Sequence, residues 1–150
     1  MKTTLSRLSL LLVLLCGPAL ADGKAEAMRM VGAAIDLLAA QGLPALAAIG
    51  TPNGAFHEGP KYVFVYNDKV EIVAHPGNPS LVGRSYAGKP DVRGFTFRDA
   101  IVENTLKDGE SWTTYHYQKP GAAGIHEKTT FCRKAMVEAE ALVVCSGVYQ

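Results

Sequence analysis

Five short segments rich in β-branched and aromatic residues constrain the fold of this chain most. They are KYVFVYN at 61–67, VEIVAH at 70–75, SWTTYHYQ at 111–118, EKTTFCRKAM at 127–136 and ALVVCSGVYQ at 141–150. Short loops join the first pair and the last three, which is typical of consecutive antiparallel strands. In the first segment both alternating sets of side chains are apolar, so we expect both faces of the sheet to be covered.

Three other segments carry helical signals. Residues 24–41 place Met28, Val31, Ile35 and Leu38 at three- and four-residue steps, which predicts one apolar stripe. A short helix is expected at 44–49, and residues 95–109 read as a helix that Gly109 ends. The order of elements predicts an α+β domain with an antiparallel five-stranded sheet. A long N-terminal helix packs on one face of this sheet, and a second helix precedes strand 3.

The first 21 residues have the pattern of a secretory signal peptide. Two basic residues precede an apolar stretch too short to span a bilayer, and small residues favour cleavage after Ala21. A lipid anchor on Cys16 is the alternative, but Leu15 before it is bulkier than such sites usually accept. We therefore expect one domain, residues 22–150, that is periplasmic or secreted and does not insert into the membrane after the signal is cleaved.

Charge and cysteine content argue against several classes of partner. Without the predicted signal, 13 basic residues face 14 acidic ones, a net charge of −1, which gives no reason to expect a nucleic acid partner. No CxxC motif or paired Cys/His spacing appears, so we expect no metal and no cofactor. In an oxidising compartment Cys132 and Cys145 are expected to form a disulfide, either a structural staple or a labile redox switch.

A disulfide across the last hairpin would fix its register. If Cys132 lies opposite Cys145, the loop is residues 137–140, Thr130 faces Gly147 and Lys128 faces Tyr149. Side chains alternate along strands, so all six residues share one face of the sheet.

Several of these segments together resemble one known family. FHEGPKYVFVYND and VAHPGNPSLVG, a helix, SWTTYHYQKP, EKTTF and a final VVCSGVYQ are similar to a single Cache domain of the second type, over about residues 24–150. The resemblance implies a PAS-like sheet behind a long helix, in an extracytoplasmic sensor of small molecules, often short organic acids. The chain resembles the stand-alone secreted members, which implies a separate membrane-bound signalling protein as partner. Ser111, where the family commonly has Gly, and Tyr117, where Trp is common, depart from its pattern.

Lys128, which matches a lysine of the family, is the centre of the predicted site. Tyr115 and Tyr117 share a face of the preceding strand, and we place Tyr117 opposite Lys128, so that Tyr115, Tyr117 and Tyr149 surround the ammonium group. Gly within a strand often marks the close approach of a ligand, and a small carboxylate would neutralise a buried lysine. Thr130 lines the same surface. The alternative is a register slip by one residue, which would turn Lys128 to solvent.

Two further residues are candidates at the edge of this site. Trp112 faces away from Tyr115 and Tyr117, which favours a core position over a pocket wall. A pairing of residue 66 with residue 70 puts His75 on the face of Val63. There it either ends the strand with bonds to nearby backbone or donates to a ligand carboxylate.

Two other functions remain open at this point. A small periplasmic enzyme would need groups drawn from His57, His75, His116, His126, Glu58 and Glu127, but no HxxxH or GxSxG spacing supports one. A protein-interaction module without a ligand would use the loop 118–127 or an edge strand. A cavity at the aromatic–lysine face would favour the ligand-binding function over both.

Overall fold

The α+β class is confirmed by a computed structural model, which describes residues 18–150. The helices are α1 (Pro18–Gln41), α2 (Ala45–Ile49) and α3 (Phe97–Asp108), with a 3₁₀ turn at Pro79–Leu81. The strands are β1 (His57–Glu58), β2 (Lys61–Asn67), β3 (Ile72–Ala74), β4 (Glu110–Gln118), β5 (Ile125–Val137) and β6 (Glu140–Tyr149). The long N-terminal helix and the helix before the last three strands are both present, as the sequence predicted.

The sheet has six strands rather than five. Its order is β1-β2-β6-β5-β4, with β3 also paired to β2, and every pairing is antiparallel. The additional strand is β1, which lies between the predicted helix at 44–49 and the first predicted strand. It forms because Gly59 has a φ of 57° and lets the chain turn back, so that His57 pairs with Tyr62.

The two faces of the sheet differ in what covers them. The α1 face packs against α1 and α2 and holds Val63, Val65, Phe131, Ala135, Leu142 and Val144. The opposite face, called here the aromatic face, packs against α3 and holds Tyr62, Phe64, Tyr66, Tyr115 and the two cysteines. Both alternating sets of β2 are therefore buried, as its sequence predicted.

Helix α1 differs from the prediction in its start and in its buried stripe. It begins at Pro18, not near residue 24, and it buries Ala27, Met30, Val31, Ala34 and Leu38. Met28 of the predicted stripe is exposed instead, because the buried stripe is rotated toward Ala27 and Ala34. The predicted signal up to residue 17 lies outside the described residues. None of the helices within 18–150 combines the length and apolarity needed to cross a membrane.

The β5–β6 hairpin has the predicted register. Cys132 lies opposite Cys145, and Lys128 lies opposite Tyr149. The loop is shorter than expected, since Val137 still pairs with Glu140 and only two residues form the turn. Glu138 takes the left-handed conformation that this tight turn requires, with a φ of 56°.

Candidate ligand-binding site

Lys128 is buried at the centre of the aromatic face. Its side chain is only 1 % exposed, so the alternative of a lysine turned to solvent is wrong. The Nζ atom donates a hydrogen bond of 2.8 Å to the hydroxyl of Tyr62. It also lies 4.3 Å from the ring centroid of Tyr62, 4.9 Å from those of Phe64 and Tyr149, and 5.7 Å from that of Tyr117.

Gly147 makes room for this lysine. It lies opposite Thr130 on β6, and a Cβ atom placed on it would collide with Cε of Lys128 and Oγ1 of Thr130. A residue with any side chain would therefore displace the lysine. The sequence analysis expected a ligand to approach closely at this glycine. In the structure it is the side chain of Lys128 that does so.

The charge of Lys128 has no acidic counterpart in its surroundings. Burial lowers the pKa of Lys128 to about 7, because the protein interior solvates the ammonium form poorly. Across the described chain, the side chains lining the small cavity in front of Nζ are aromatic, aliphatic or basic, with no Asp or Glu among them. A carboxylate bound there would restore the ammonium form and satisfy its remaining donors.

The surrounding phenols are hydrogen-bonded and protonated. The hydroxyl of Tyr115 is 2.9 Å from Oγ1 of Thr130, and that of Tyr149 donates to the carbonyl of Gln118 at 2.8 Å. Burial raises the pKa of Tyr149 to about 12 and also raises the pKa values of Tyr62 and Tyr115. These hydroxyls therefore remain hydrogen-bond donors at neutral pH.

Two neighbouring spaces lie near the lysine. The inner cavity, in front of Lys128, has a volume of about 10 Å³, room for roughly one water. The outer pocket has a volume of about 300 Å³ and lies between the turn at 75–78 and the loop at 118–122. Tyr62, His75 and Tyr117 line both spaces, so these three side chains form the wall between them.

His75 lies on the aromatic face, and the predicted β2–β3 register was wrong. Residue 65 pairs with Ala74 and residue 66 with Ile72, with a bulge between the two pairs. The extra residue moves His75 to the other face, where its ring centroid is 5.0 Å from that of Tyr62. The backbone N–H of Asn78 donates to Nδ1 at 2.9 Å, so the proton of the neutral ring is on Nε2. Burial and the nearby Lys128 lower its pKa to about 3.

The β4 register also differs from the prediction. Tyr115, not Tyr117, lies opposite Lys128, and Tyr117 lies opposite His126. A shift of two residues preserves the face, so Tyr117 still joins the aromatic face beside Lys128. Tyr115 is fully covered, stacked on Phe97 of α3 with centroids 4.0 Å apart.

Trp112 is neither a buried core residue nor a pocket wall. It lies on the α1 face at the edge strand β4, where it is 39 % exposed. Its ring centroid is 5.1 Å from that of Phe131, and Nζ of Lys24 lies 5.2 Å above it. The edge position explains the exposure, because none of the strands in residues 18–150 pairs with the outer side of β4.

The predicted disulfide is present. Cys132 and Cys145 are joined, with Cα atoms 4.1 Å apart, and both are buried beneath the aromatic face. A close Cα spacing is expected for directly opposed residues of a non-hydrogen-bonded pair. The burial of both sulfurs favours the structural staple over the redox switch.

Arg98 is a site residue that the sequence analysis missed. It is in the first turn of α3, is 8 % exposed and lines the inner cavity with Lys128. A signal for it existed in the sequence. Residues 101 and 102, three and four positions later, are buried apolar residues of this helix, so Arg98 falls on its buried face.

The histidines considered for an enzyme are not brought together. Nδ1 of His57 accepts a hydrogen bond from the backbone N–H of Asn53, whereas Nδ1 of His116 lies 3.7 Å from Oδ2 of Asp91. His126 is paired with the carbonyl of Ala123 in the β4–β5 loop. In the part of the chain that the structure describes, no group of three or more His, Cys, Asp or Glu residues is placed to hold a metal ion.

Comparisons with known proteins agree with this geometry. The family profile described as "Single Cache domain 2" matches residues 43–150. A search of curated protein sequences gave no significant match.

Solved structures are similar over nearly the whole chain. A periplasmic sensor domain of a chemotaxis protein is 27 % identical, with a TM-score of 0.73, covering 89 % of this chain and 99 % of that one. A Cache chemosensory domain described for its carboxylic acid recognition is 25 % identical, with a TM-score of 0.70 and coverages of 87 % and 95 %. A methyl-accepting chemotaxis protein from Vibrio parahaemolyticus, 16 % identical, shares the fold with a TM-score of 0.68 and coverages of 87 % and 90 %.

Proposed function

Because this chain belongs to the single Cache domain 2 family, we propose that it is an extracytoplasmic sensory domain that binds a short organic acid on its aromatic face. The ammonium group of Lys128 neutralises the carboxylate. The hydroxyl of Tyr62, which accepts from Nζ of Lys128, donates an additional hydrogen bond, whereas that of Tyr149, 3.4 Å away, already donates to the carbonyl of Gln118.

The observation that carries this proposal is a buried cation without a buried anion. Transfer of an ammonium group into a protein interior costs several kcal/mol unless a partner of opposite charge accompanies it. Within the described residues, the cavity beside Lys128 is lined by aromatic, aliphatic and basic side chains and by no acidic one. A site that costs stability when empty and is neutralised when occupied is suited to reporting on an anionic ligand.

Two further features support a small acid. The similar Cache chemosensory domain described for carboxylic acid recognition binds the same chemical class. The outer pocket is open to solvent and lies next to the inner cavity that Lys128 lines. Rotation of Tyr117, which is half-buried, would join this pocket to the inner cavity and admit a ligand to Lys128.

The bound state would be passed to a separate membrane-bound signalling protein. The predicted signal peptide, cleaved after Ala21, would export the domain to the compartment where such receptors sense their ligands. The similarity to the periplasmic sensor domain of a chemotaxis protein supports this kind of partner. His75, Tyr115, Tyr117 and Thr130 would shape the pocket around the acid.

A thermal-shift panel of short organic acids tests the proposal. A ligand at a hundredfold excess over its Kd stabilises the native state by about 2.7 kcal/mol, so a binding acid raises the Tm clearly. Lys128→Met should fold with no loss of stability, because it removes an unpaired buried charge, and should no longer respond to acids.

Lys134→Met provides the matched control, since Lys134 is an exposed lysine on the same strand. This variant should respond to acids as the wild type does. An unchanged response in Lys128→Met would reject the site. No response to any acid in the wild type would reject the function and favour the ligand-free interaction module.

A further inference from the structure

Aromatic rings pack on the faces of the Arg98 guanidinium plane. Its guanidinium carbon lies 4.3 Å from the ring centroid of Phe97 and 4.6 Å from that of Tyr86. Stacking of this kind engages the faces of the guanidinium plane and leaves the N–H groups at its edge free to donate.

One of those donors has no partner. Nε of Arg98 is buried and makes no hydrogen bond to any residue in 18–150. Buried polar groups in proteins are nearly always hydrogen-bonded, and an unsatisfied donor costs free energy. It is the single buried side-chain nitrogen or oxygen of the described residues left in this state.

The orphaned donor belongs to the cavity that also contains the lysine. Arg98 and Lys128 both line the inner cavity, and the ring centroid of Tyr117 is 5.7 Å from each cation. Asp99, the acid next in sequence, is engaged elsewhere, accepting the backbone N–H of Gly88. The cavity therefore combines two basic side chains with no acidic one in the described chain.

We infer that Arg98 is a second ligand-binding residue and that the acid bound here is a short dicarboxylate. This inference rests on the proposed function, whose carboxylate site at Lys128 it extends. A monocarboxylate would leave one of two buried cations unmatched, whereas a dicarboxylate neutralises both. Tyr117 lines the inner cavity and the outer pocket, so its displacement places the ligand between the two cations.

Isothermal titration with succinate and butyrate tests this directly. The two acids have the same number of carbons and differ by the second carboxylate. We expect the wild type to bind succinate at least roughly tenfold more tightly than butyrate, as a charge-assisted hydrogen bond would give. In Arg98→Gln the succinate affinity should fall to the butyrate level, with butyrate binding changed by less than about threefold.

Two further variants complete the experiment. Arg93→Gln removes an exposed arginine five positions earlier and should bind both acids as the wild type does. Arg98→Lys keeps the charge and loses the Nε donor, so it should still weaken succinate binding roughly tenfold. Arg98→Lys therefore tests the inference even if Arg98→Gln does not fold. A succinate affinity like that of the wild type in either Arg98 variant overturns the inference.

The outcomes separate this inference from the proposed function. If the wild type binds butyrate as tightly as succinate, and Lys128→Met abolishes that binding, Arg98 has no such role and the monocarboxylate site stands. If the wild type binds no acid at all, both fail. Succinate selectivity that disappears in Arg98→Gln and persists in Arg93→Gln supports the assignment.

Discussion

The two faces of the sheet use the same strands for opposite purposes. On the α1 face, Phe131 and its neighbours pack against α1 and α2 as a closed apolar core. On the aromatic face, Lys128 and Thr130 of the same strand lie among phenols, beside a small cavity. Alternation along β5 separates the two environments by one residue.

This difference indicates that the α1 face mainly stabilises the fold, whereas the aromatic face is suited to binding. Burial of hydrocarbon on the α1 face stabilises the fold, whereas the unpaired cation on the aromatic face reduces that stability when the site is empty. Because proteins have a marginal free energy of unfolding, the domain can tolerate the unpaired cation on the aromatic face only because the α1 face stabilises the fold. Substitutions on the two faces should therefore change different observables.

The largest expected effect is on the α1 face. Phe131→Ala removes a fully buried ring that also contacts Trp112, and it should lower the free energy of unfolding by about 3–5 kcal/mol. Urea denaturation measures this loss. Acid binding by the folded fraction should change little, in contrast to Lys128→Met, and a large loss of affinity without a loss of stability would break the division between the faces.

A smaller effect is expected at Gly147, where the side chains of the aromatic face pack most closely. Gly147→Ala places a methyl group against the side chains of Lys128 and Thr130, and such overpacking costs about 1–3 kcal/mol. The displaced lysine should also bind acids more weakly, which titration of the folded variant measures.

Gly32→Ala is the matched control for this glycine. Gly32 lies in α1 and has no neighbouring atom within 4 Å of an added Cβ, so its replacement should stabilise the helix by about 0.5–1 kcal/mol. A Gly147→Ala variant with wild-type stability and affinity would show that Lys128 does not need its observed position.

The sequence correctly predicted those features of the two faces that depend on the alternation of side chains along a strand. Alternation and the cysteine pair together predicted that Lys128, Thr130 and Tyr149 share a face, as they do. The same reasoning could not set the β4 register, because a shift of two residues changes no face and so leaves no signal in the pattern. Consequently Tyr117 was assigned to the correct surface and to the wrong partner.

The failures have a different physical origin. His75 was placed on the wrong face because a bulge in β2–β3 adds one residue, which no residue type in that segment marks. Arg98 was missed because arginines are usually exposed, although the apolar residues three and four positions later place it on the buried face of α3. Trp112 was expected in the core, since large aromatics usually are buried, but its place on an edge strand depends on the tertiary order of strands.

The last expected effect is a pH dependence, small over each single pH unit, that only the aromatic face should produce. The pKa of Lys128 is lowered by burial from its ordinary 10.5 to about 7. Between these values the unfolded chain holds a proton that the folded chain lacks, so the free energy of unfolding rises with pH, by about 1 kcal/mol per unit. Below pH 7 both states are protonated, the cost of the buried charge is fully present and the slope disappears.

Other groups restrict the useful window. The lowered pKa of His75, about 3, gives a slope of the same sign only between there and its ordinary value of 6.5. The raised pKa values of the buried tyrosines give a slope of the opposite sign only near and above pH 10. Lys128 should therefore dominate the difference between wild type and Lys128→Met at about pH 7 to 9.

Urea unfolding at intervals across this window measures that difference. Phe131→Ala should keep the wild-type slope at a lower stability, whereas Lys128→Met should lose the slope. A saturating acid should also remove it, because the bound carboxylate holds the ammonium form, and binding at pH 8 should take up protons. Equal slopes in the wild type and Lys128→Met would mean that the lysine is not the titrating group, and the contrast between the two faces would then lose its electrostatic basis.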